Sequence, residues 1–338
     1  MIYHIYKTDC YRASRVLMQQ RWEKESIFIH LAKDKDYTKN IELGFFNLFK
    51  KIKSSNKEDV FIFHAQSSLP YLISGWIAKK LLAKKSNFVY DIHDLHEWNN
   101  NDSMFSKNAA RFYVLDALER IAFKITAIKK LTVSCGLSKI MKERYRTSAP
   151  VVVRNISSQP RVGVTSAHRL ERAIVFFGIK ERAPIGIFER LRDAGIEIHL
   201  YGRDMTREWL RELGMDCQNI KTFGEYFPND LSFLNKYKIL ILHPDGESLN
   251  YKYSLPNKLF QALDHGLGVV VSDFFEEITD LFVNTNFIRS ASDENVIHKL
   301  TEALESWGLD EYSNLMQKKE KLSNESILNY RETIGLIK

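Results

Sequence analysis

Cysteine is scarce in this chain: Cys10, Cys135 and Cys217 are the only three in 338 residues, far apart and without a CxxC pair. That count argues against a disulfide framework or a cysteine-based zinc site and fits a reducing cytoplasm. Glycine and proline are also few, at 15 and 7 residues, which excludes a collagen-like or mucin-like chain. No apolar run approaches the roughly 18 residues of a membrane span. The opening residues MIYHIYKTDCYR reach charge too soon for a secretory signal. What is present is a globular composition, 44% hydrophobic, 27% charged and 12% aromatic, and this excludes a disordered chain. The length exceeds one ordinary core, so two domains are expected.

Charge divides the chain. Residues 1–160 carry 27 Lys and Arg against 15 Asp and Glu, a net +12, whereas residues 161–338 carry 22 against 27, a net −5. A basic half joined to a mildly acidic one implies a first domain that faces something anionic: nucleic acid, a membrane surface or a phosphorylated substrate.

Short apolar runs alternate with segments of helical period from end to end. Strands are predicted at Ile2–Tyr6, Ser26–Leu31, Asp59–Phe63, Asn87–Ile92, Leu131–Ser134 and Val151–Val153. The second half adds Ala173–Phe177, Ile196–Tyr201, Ile220–Phe223, Ile239–Leu242 and Val269–Ser272. Helical patterns fill the gaps, among them Tyr71–Leu82, Phe112–Ile125, Ile185–Ala194, Asn257–His265 and Glu294–Trp307. Such alternation reads as α/β, with two doubly wound parallel sheets. The polar stretch 157–172 is expected to be the linker. The domains are therefore placed at 1–160 and 161–312, with 313–338 a terminal helix that packs back across the junction. Ligands of open parallel sheets bind beyond the carboxyl ends of the strands. The loops after strands, and a cleft between two facing domains, are thus the expected functional regions.

One segment stands out, running from Ser254-Leu255-Pro256-Asn257-Lys258 through Gln261 and Gly266 to Asp273. Pro256 suits a first helical turn and Ser254 a cap, so the free amides of the helix start, with Lys258 beside them, form a phosphate site. Read from the residues alone, it is equally an ordinary helix–turn–strand with a solvated lysine. Lys180-Glu181-Arg182 and Arg203 follow two strands of the same half and are candidates for the same phosphate.

With Val89-Tyr-Asp-Ile-His93-Asp94, Leu118-Glu-Arg120, Thr132-Val-Ser134, Val153-Arg-Asn155, Ile174-Val-Phe-Phe-Gly178, His199-Leu-Tyr-Gly202 and Phe223-Gly224 in order, the Pro256–Asp273 pattern resembles the group 1 (family 4) glycosyltransferases of the GT-B fold. The resemblance spans about residues 58–275. It implies that Gly178, Arg182, Arg203, Ser254, Leu255, Pro256, Asn257 and Gln261 bind a nucleotide-sugar donor, with Lys180 and Lys258 on its diphosphate. His93 would meet the donor sugar. Charge grows on the leaving phosphate during such a transfer, and cationic side chains with helix amides stabilise it without a metal. No cofactor is expected. Two departures are visible: Tyr253 and Gln261 stand where the family carries two glutamates, and KTDCYRASR replaces the glycine-rich turn after the first strand.

Asp94 and Asp9 are the candidate bases for an inverting course. Asp9, Arg12 and Arg15, in the loop after the first strand, are assigned to the acceptor. Asp91 and His93 with His96 and Glu97 nearby also read as a loosely spaced metal site, and Asp34-Lys-Asp36 reads as surface. The segment Gly44–Lys53, with Phe45, Phe46, Leu48, Phe49 and Ile52 beside Lys50, Lys51 and Lys53, suits either an interfacial helix or one packed on its own sheet.

The expectation is a cytoplasmic transferase, peripheral on the inner face of the cell membrane. It would move sugar from a nucleotide-sugar donor to a glycan or lipid-linked acceptor in bacterial surface polysaccharide synthesis. An anionic membrane surface is the expected further partner and nucleic acid is not. The rival readings are a nucleotide-sugar 2-epimerase of the same fold, a basic nucleic-acid-binding protein, and a catalytically silent scaffold.

Overall fold

The computed structural model describes residues 1–6, 15, 18–19, 22–23, 26–30, 45–95, 107–156, 173–226, 230–242, 249–271, 275–282, 288–290, 296–305 and 309–337. The linker stretch 157–172 lies outside them, as do Asp9, Arg12, Asp34, Asp36, His96 and Glu97. The chain divides into two compact units, residues 1–156 with 322–338, and residues 157–321.

Among the described residues the first unit holds six strands: β1 (Ile2–Tyr6), β2 (Ser26–His30), β3 (Val60–His64), β4 (Asn87–Ile92), β5 (Ile128–Thr132) and β6 (Val151–Val152). All pair in parallel, in the order β2-β1-β3-β4-β5-β6. Side chains alternate between the two faces of such a sheet. On one face Ile2, Val60, Ile62, Val89 and Leu131 pack against Met18, Trp22, Tyr330 and Ile334. The other face carries Phe61, Phe63 and Phe88, covered by α1 (Phe45–Ser54), α2 (Leu69–Leu81) and α3 (Lys107–Lys124). Gly75 of α2 lies so close to the sheet that an added Cβ would stand 3.2 Å from Ile52 and 3.3 Å from Phe88. α4 (Cys135–Tyr145) follows β5, and the Ser134 hydroxyl caps it by accepting from the Leu137 amide at 3.1 Å.

The segment around 44–53 is divided by this packing. Leu48 and Ile52 are buried, whereas Phe46 and Phe49 are exposed; Gly44 and the Phe45 side chain lie outside the described residues.

The second unit contains β7 (Ala173–Phe177), α5 (Ile185–Asp193), β8 (Glu197–Tyr201), α6 (Arg207–Glu212), β9 (Ile220–Thr222), β10 (Ile239–Leu242), α7 (Leu249–Tyr253), α8 (Asn257–Asp264), β11 (Gly268–Val271), α9 (Glu276–Phe282), β12 (Ile288–Ser290) and α10 (Val296–Glu305). Its sheet is again parallel, in the order β12-β11-β10-β7-β8-β9. This is the dinucleotide-fold order, and it reverses between β7 and β10. Ile174, Phe176, Ile198, Leu200 and Ile241 meet Phe188, Leu191, Leu210 and Leu300 in one core. Each such side chain contributes about 1.5–3 kcal/mol by leaving water. The last helix, α11 (Leu309–Ile334), belongs to the second unit up to Lys321 and to the first from Leu322.

Two expectations need correcting here. β5 begins three residues and ends two residues earlier than the pattern suggested, because Lys129 and Lys130 belong to the strand. Lys129 is exposed along its length but donates from its tip to the Thr333 carbonyl at 2.6 Å, and Lys130 reaches the Ile125 carbonyl at 2.9 Å over the Phe123 ring. β12 was not foreseen at all. It is three residues long, contains Arg289 and pairs on one side only, so it carries no apolar run to read.

Candidate functional site

In the second unit three glycines end neighbouring strands or their extensions. The Gly178 amide donates to the Tyr201 carbonyl at 2.9 Å, and the Gly202 amide to that of Gly224 at 2.7 Å. A Cβ on Gly202 would collide with the Gly178 carbonyl oxygen, and one on Gly178 would collide with the Lys258 ammonium. Only glycine permits this row.

Lys258 enters from α8, the helix that follows β10, on the other side of the order reversal. Its Nζ donates to the Phe177 carbonyl at 2.5 Å and lies 4.9 Å from the Phe177 ring centroid and 5.6 Å from that of Phe176. Burial, and then the neighbouring Arg182 charge, push its pKa down to about 8. A cation so placed gains from any anion that arrives beside it. Lys180 and Arg182 form an exposed 3-10 turn directly after Gly178 and Ile179. Arg203 is exposed, and its Nη2 donates to Glu225 at 2.7 Å.

The helix start differs from the expectation. Pro256 is the cap residue rather than the first helical residue, with φ −66° and ψ 139°, and no side chain caps the helix. Ser254 stands two residues before this cap. Leu255 is buried, while Asn257, Lys258 and Gln261 are half-buried on the side of α8 opposite Leu259 and Leu263. Gly266, with φ 71°, closes the helix as the sequence suggested, and the Leu267 amide returns to the Ala262 carbonyl.

An aromatic group beside this row was missed. Tyr201 stacks on Phe233 at 4.1 Å and on Phe223 at 4.9 Å between centroids, and Phe177 meets Tyr226 edge-on at 5.2 Å. The Tyr237 hydroxyl binds both His199 Nδ1, at 2.6 Å, and the Tyr201 hydroxyl, at 3.0 Å. Phe223 is 49% exposed. A signal was available, since Phe177-Gly178, Tyr201-Gly202 and Phe223-Gly224 repeat one aromatic–glycine dipeptide.

In the first unit the order reverses between β1 and β3, and a polar layer replaces the apolar one there. Asp91 is fully buried at the centre. Arg15 grips it through Nε at 2.8 and 2.9 Å and Nη2 at 2.5 Å, and Gln19 adds a bond at 2.9 Å. His64, paired with Asp91 in strand register, contributes Nδ1 at 3.0 Å. His93 contributes Nε2 at 3.3 Å. Burial pushes the Asp91 carboxyl up, but Arg15 and the two histidine bonds outweigh it and hold it well below the usual range. An ionised carboxylate only accepts, so His64 donates from Nδ1 and accepts at Nε2 from His4 Nδ1, 2.9 Å away. Burial lowers the pKa of both histidines, consistent with neutral rings.

Arg15 is therefore not an acceptor-binding group. It is 2% exposed, and its Nη1 bonds the Val153 carbonyl at 2.5 Å and Asn155 at 2.7 Å. His93 retains a face in solvent, with 21% of its side chain accessible, and Asp94 beside it is exposed. Among the described residues His64, Asp91 and His93 bring ligand atoms within 4.8 Å of one another, as a metal site would. The Arg15 guanidinium on the same carboxylate places a full positive charge against any cation there. Glu119, in the Leu118–Arg120 motif, is buried and accepts from the Tyr90 and Tyr145 hydroxyls at 2.7 and 2.8 Å. Its part is structural.

No known family pattern and no curated protein sequence matches the chain. Solved structures do match in shape. One described as "alpha-glucosyltransferase in complex with UDP-glucose and DNA containing an abasic site" aligns at a TM-score of 0.57 and 14% identity, over 96% of this chain and 94% of that one. "OtsA apo structure" aligns at 0.59 and 8% identity over 97% and 96%. The pneumococcal O-GlcNAc transferase GtfA, in complex with UDP and GlcNAc, aligns at 0.57 and 15% over 85% and 59%. At these identities the likeness establishes the GT-B fold.

Proposed function

We propose that the protein is a glycosyltransferase of the group 1 (family 4) kind. In this reading it moves a sugar from a nucleoside-diphosphate donor to a glycan or lipid-linked acceptor, in bacterial surface polysaccharide synthesis on the cytoplasmic side of the membrane. The observation that carries the reading is Lys258, held at the Phe177 carbonyl beside Gly178 and Arg182. A half-buried cation, an exposed pair of cations and a helix start then share the carboxyl end of one sheet, where open α/β folds bind ligands. Similar folds bound to UDP or UDP-glucose support it.

The bond from the anomeric carbon to the diphosphate oxygen breaks, and the departing charge falls to Lys258, Arg182, Lys180 and the amides opening α8. Gln261, one turn further on, is assigned to a ribose hydroxyl, and the exposed Phe223 ring to the base. His93 presents Nδ1 as an acceptor for a sugar hydroxyl, because Nε2 donates to Asp91. The acceptor oxygen bonds the anomeric carbon and loses its proton, to the leaving phosphate in a retaining course or to Asp94 in an inverting one. Product anomer analysis decides between them.

The test is calorimetry and thermal shift with UDP, GDP, ADP and their sugars, with and without EDTA. One nucleoside diphosphate should raise the melting temperature, as any ligand of the folded state does, and EDTA should leave both binding and transfer intact. If no nucleotide binds, the assignment fails; if only EDTA abolishes transfer, metal independence alone fails.

A further inference from the structure

The face of the first unit formed by α1, α2 and α3 lies across the sheet from Asp91 and has no part in the chemistry above. On α1, Phe46, Phe49, Lys50 and Lys53 recur at helical spacing and are exposed, Phe46 by 82%. α2 packs beside it and presents Ile77, Lys80 and Leu81, with Leu81 82% exposed. α3 packs beside α2 and continues the surface with Val114 and Ile121, 57% and 45% exposed, next to Lys124. Neither α1 nor α2 contains an aspartate or glutamate. On α3, Asp116 is bound by Arg120 at 2.7 Å and Glu119 is buried.

Single exposed apolar side chains are ordinary. Here they recur on three adjacent helices, interleaved with lysines and without an exposed carboxylate. We propose that this face docks on an anionic phospholipid bilayer. Phe46 and Leu81 enter the boundary between headgroups and acyl chains, and Lys50, Lys53 and Lys80 lie against anionic headgroups. Aromatic and aliphatic tips flanked by lysines match an interface that is apolar inside and negative outside. A nucleic acid would use the lysines and leave Phe46 and Leu81 in water, since phosphate contacts are made by charged and polar groups. A two-fold pairing of identical copies would set lysine against lysine. The inference goes beyond the donor reading and does not depend on it, and its test needs neither donor nor acceptor.

Full-length protein is sedimented with vesicles of phosphatidylcholine alone and of phosphatidylcholine with equimolar phosphatidylglycerol. Binding should occur to the second and scarcely to the first, and weaken with added salt, which shortens the reach of charge to about 8 Å at physiological strength. The pair Phe46→Ser/Leu81→Ser should abolish binding. The pair Lys50→Gln/Lys53→Gln should lower the partition coefficient about fivefold per lysine. Both pairs change exposed side chains, so the melting temperature should not move. Leu213→Ser, on the second unit at 38% exposure, is the control and should bind as the parent does. No binding to anionic vesicles, equal binding to neutral ones, or binding unchanged in both pairs overturns the proposal. So does either alternative occupant: duplex DNA binding lost in the lysine pair without vesicle binding, or self-association lost in the Phe46/Leu81 pair without vesicle binding.

Discussion

Lys258 is the residue whose surroundings make the sharpest demand. Its pKa, lowered to about 8 by burial and by Arg182, belongs to the unliganded site, and a bound diphosphate raises it. Donor affinity should therefore hold steady below pH 8 and fall above it, by about tenfold per pH unit, until the pKa of the complex is reached. Lys258→Arg should flatten that decline in a calorimetric pH series, because guanidinium keeps its proton. Lys258→Ala should cost about 10²–10³ in kcat, the loss typical of one contact to developing charge. Asp91 makes a different demand. Arg15 balances its charge, so toward His93 its influence is directional, and in the proposed reaction it is a positioning residue. Nitrogen-15 spectra should place the His93 proton on Nε2 in the free protein. In a double-mutant cycle, Asp91→Asn should slow transfer in the parent and add little once His93 is Ala. Equal effects in both backgrounds would leave Asp91 a purely structural role. Asp91→Asn should also cost about 3–5 kcal/mol of stability, since it strands a buried guanidinium, and the rates must be read well below its melting temperature.

At the scale of elements, the glycine row shows why strands β7 and β8 end where they do. The Gly202 amide continues the ladder to Gly224 while its α-carbon rides against the Gly178 carbonyl. Gly202→Ala should push the two strand ends apart. We expect about 1–3 kcal/mol of destabilisation from the overpacking and weaker nucleotide binding, both readable in one thermal-shift titration. Gly214→Ala is the contrast: φ is +67° there, but an added Cβ meets nothing within 4 Å. It should cost stability through backbone strain alone and leave nucleotide binding unchanged. The helix α8 teaches a related point. Its period was plain in Leu259, Phe260, Ala262 and Leu263, all buried, but its first residue was not. Pro256 suits either the cap or the position after it, and the pattern of apolar residues is the same in both cases.

At the scale of the whole molecule, α11 returns the end of the chain to strands laid down far earlier. Asn329 donates to the Val152 carbonyl at 2.9 Å, Lys129 to that of Thr333 at 2.6 Å, and the Arg154 amide to the Ser326 hydroxyl at 3.1 Å. Tyr330 is fully buried with its ring edge-on to Trp22 at 5.4 Å. The last residues are thus part of the first unit's core. Tyr330→Ala should cost about 3–5 kcal/mol, the range for emptying a large aromatic site. Calorimetry should show the loss in the transition of the first unit, identified by limited proteolysis of the partly melted protein. A shift confined to the second unit would contradict that assignment.

By itself the sequence determined the α/β class, ten of the twelve strands found among the described residues to within two residues of an end, and the helix after β10 with its lysine. Those are local matters: apolar period, β-branched runs, and proline and glycine at element ends are carried by neighbours in the chain. Which polar side chains would be buried, and with whom, was decided only in three dimensions. Arg15 looked like a loop cation offered to an acceptor, and Asp91 like one acid among several near a strand end. Their bond spans 76 positions, and it exists because β1, β3 and β4 lie side by side while the chain between them goes elsewhere. The same holds for Lys258 and the Phe177 carbonyl, 81 positions apart. Burial of charge needs a partner, and a partner drawn from a distant strand leaves no periodic mark on the sequence near either residue.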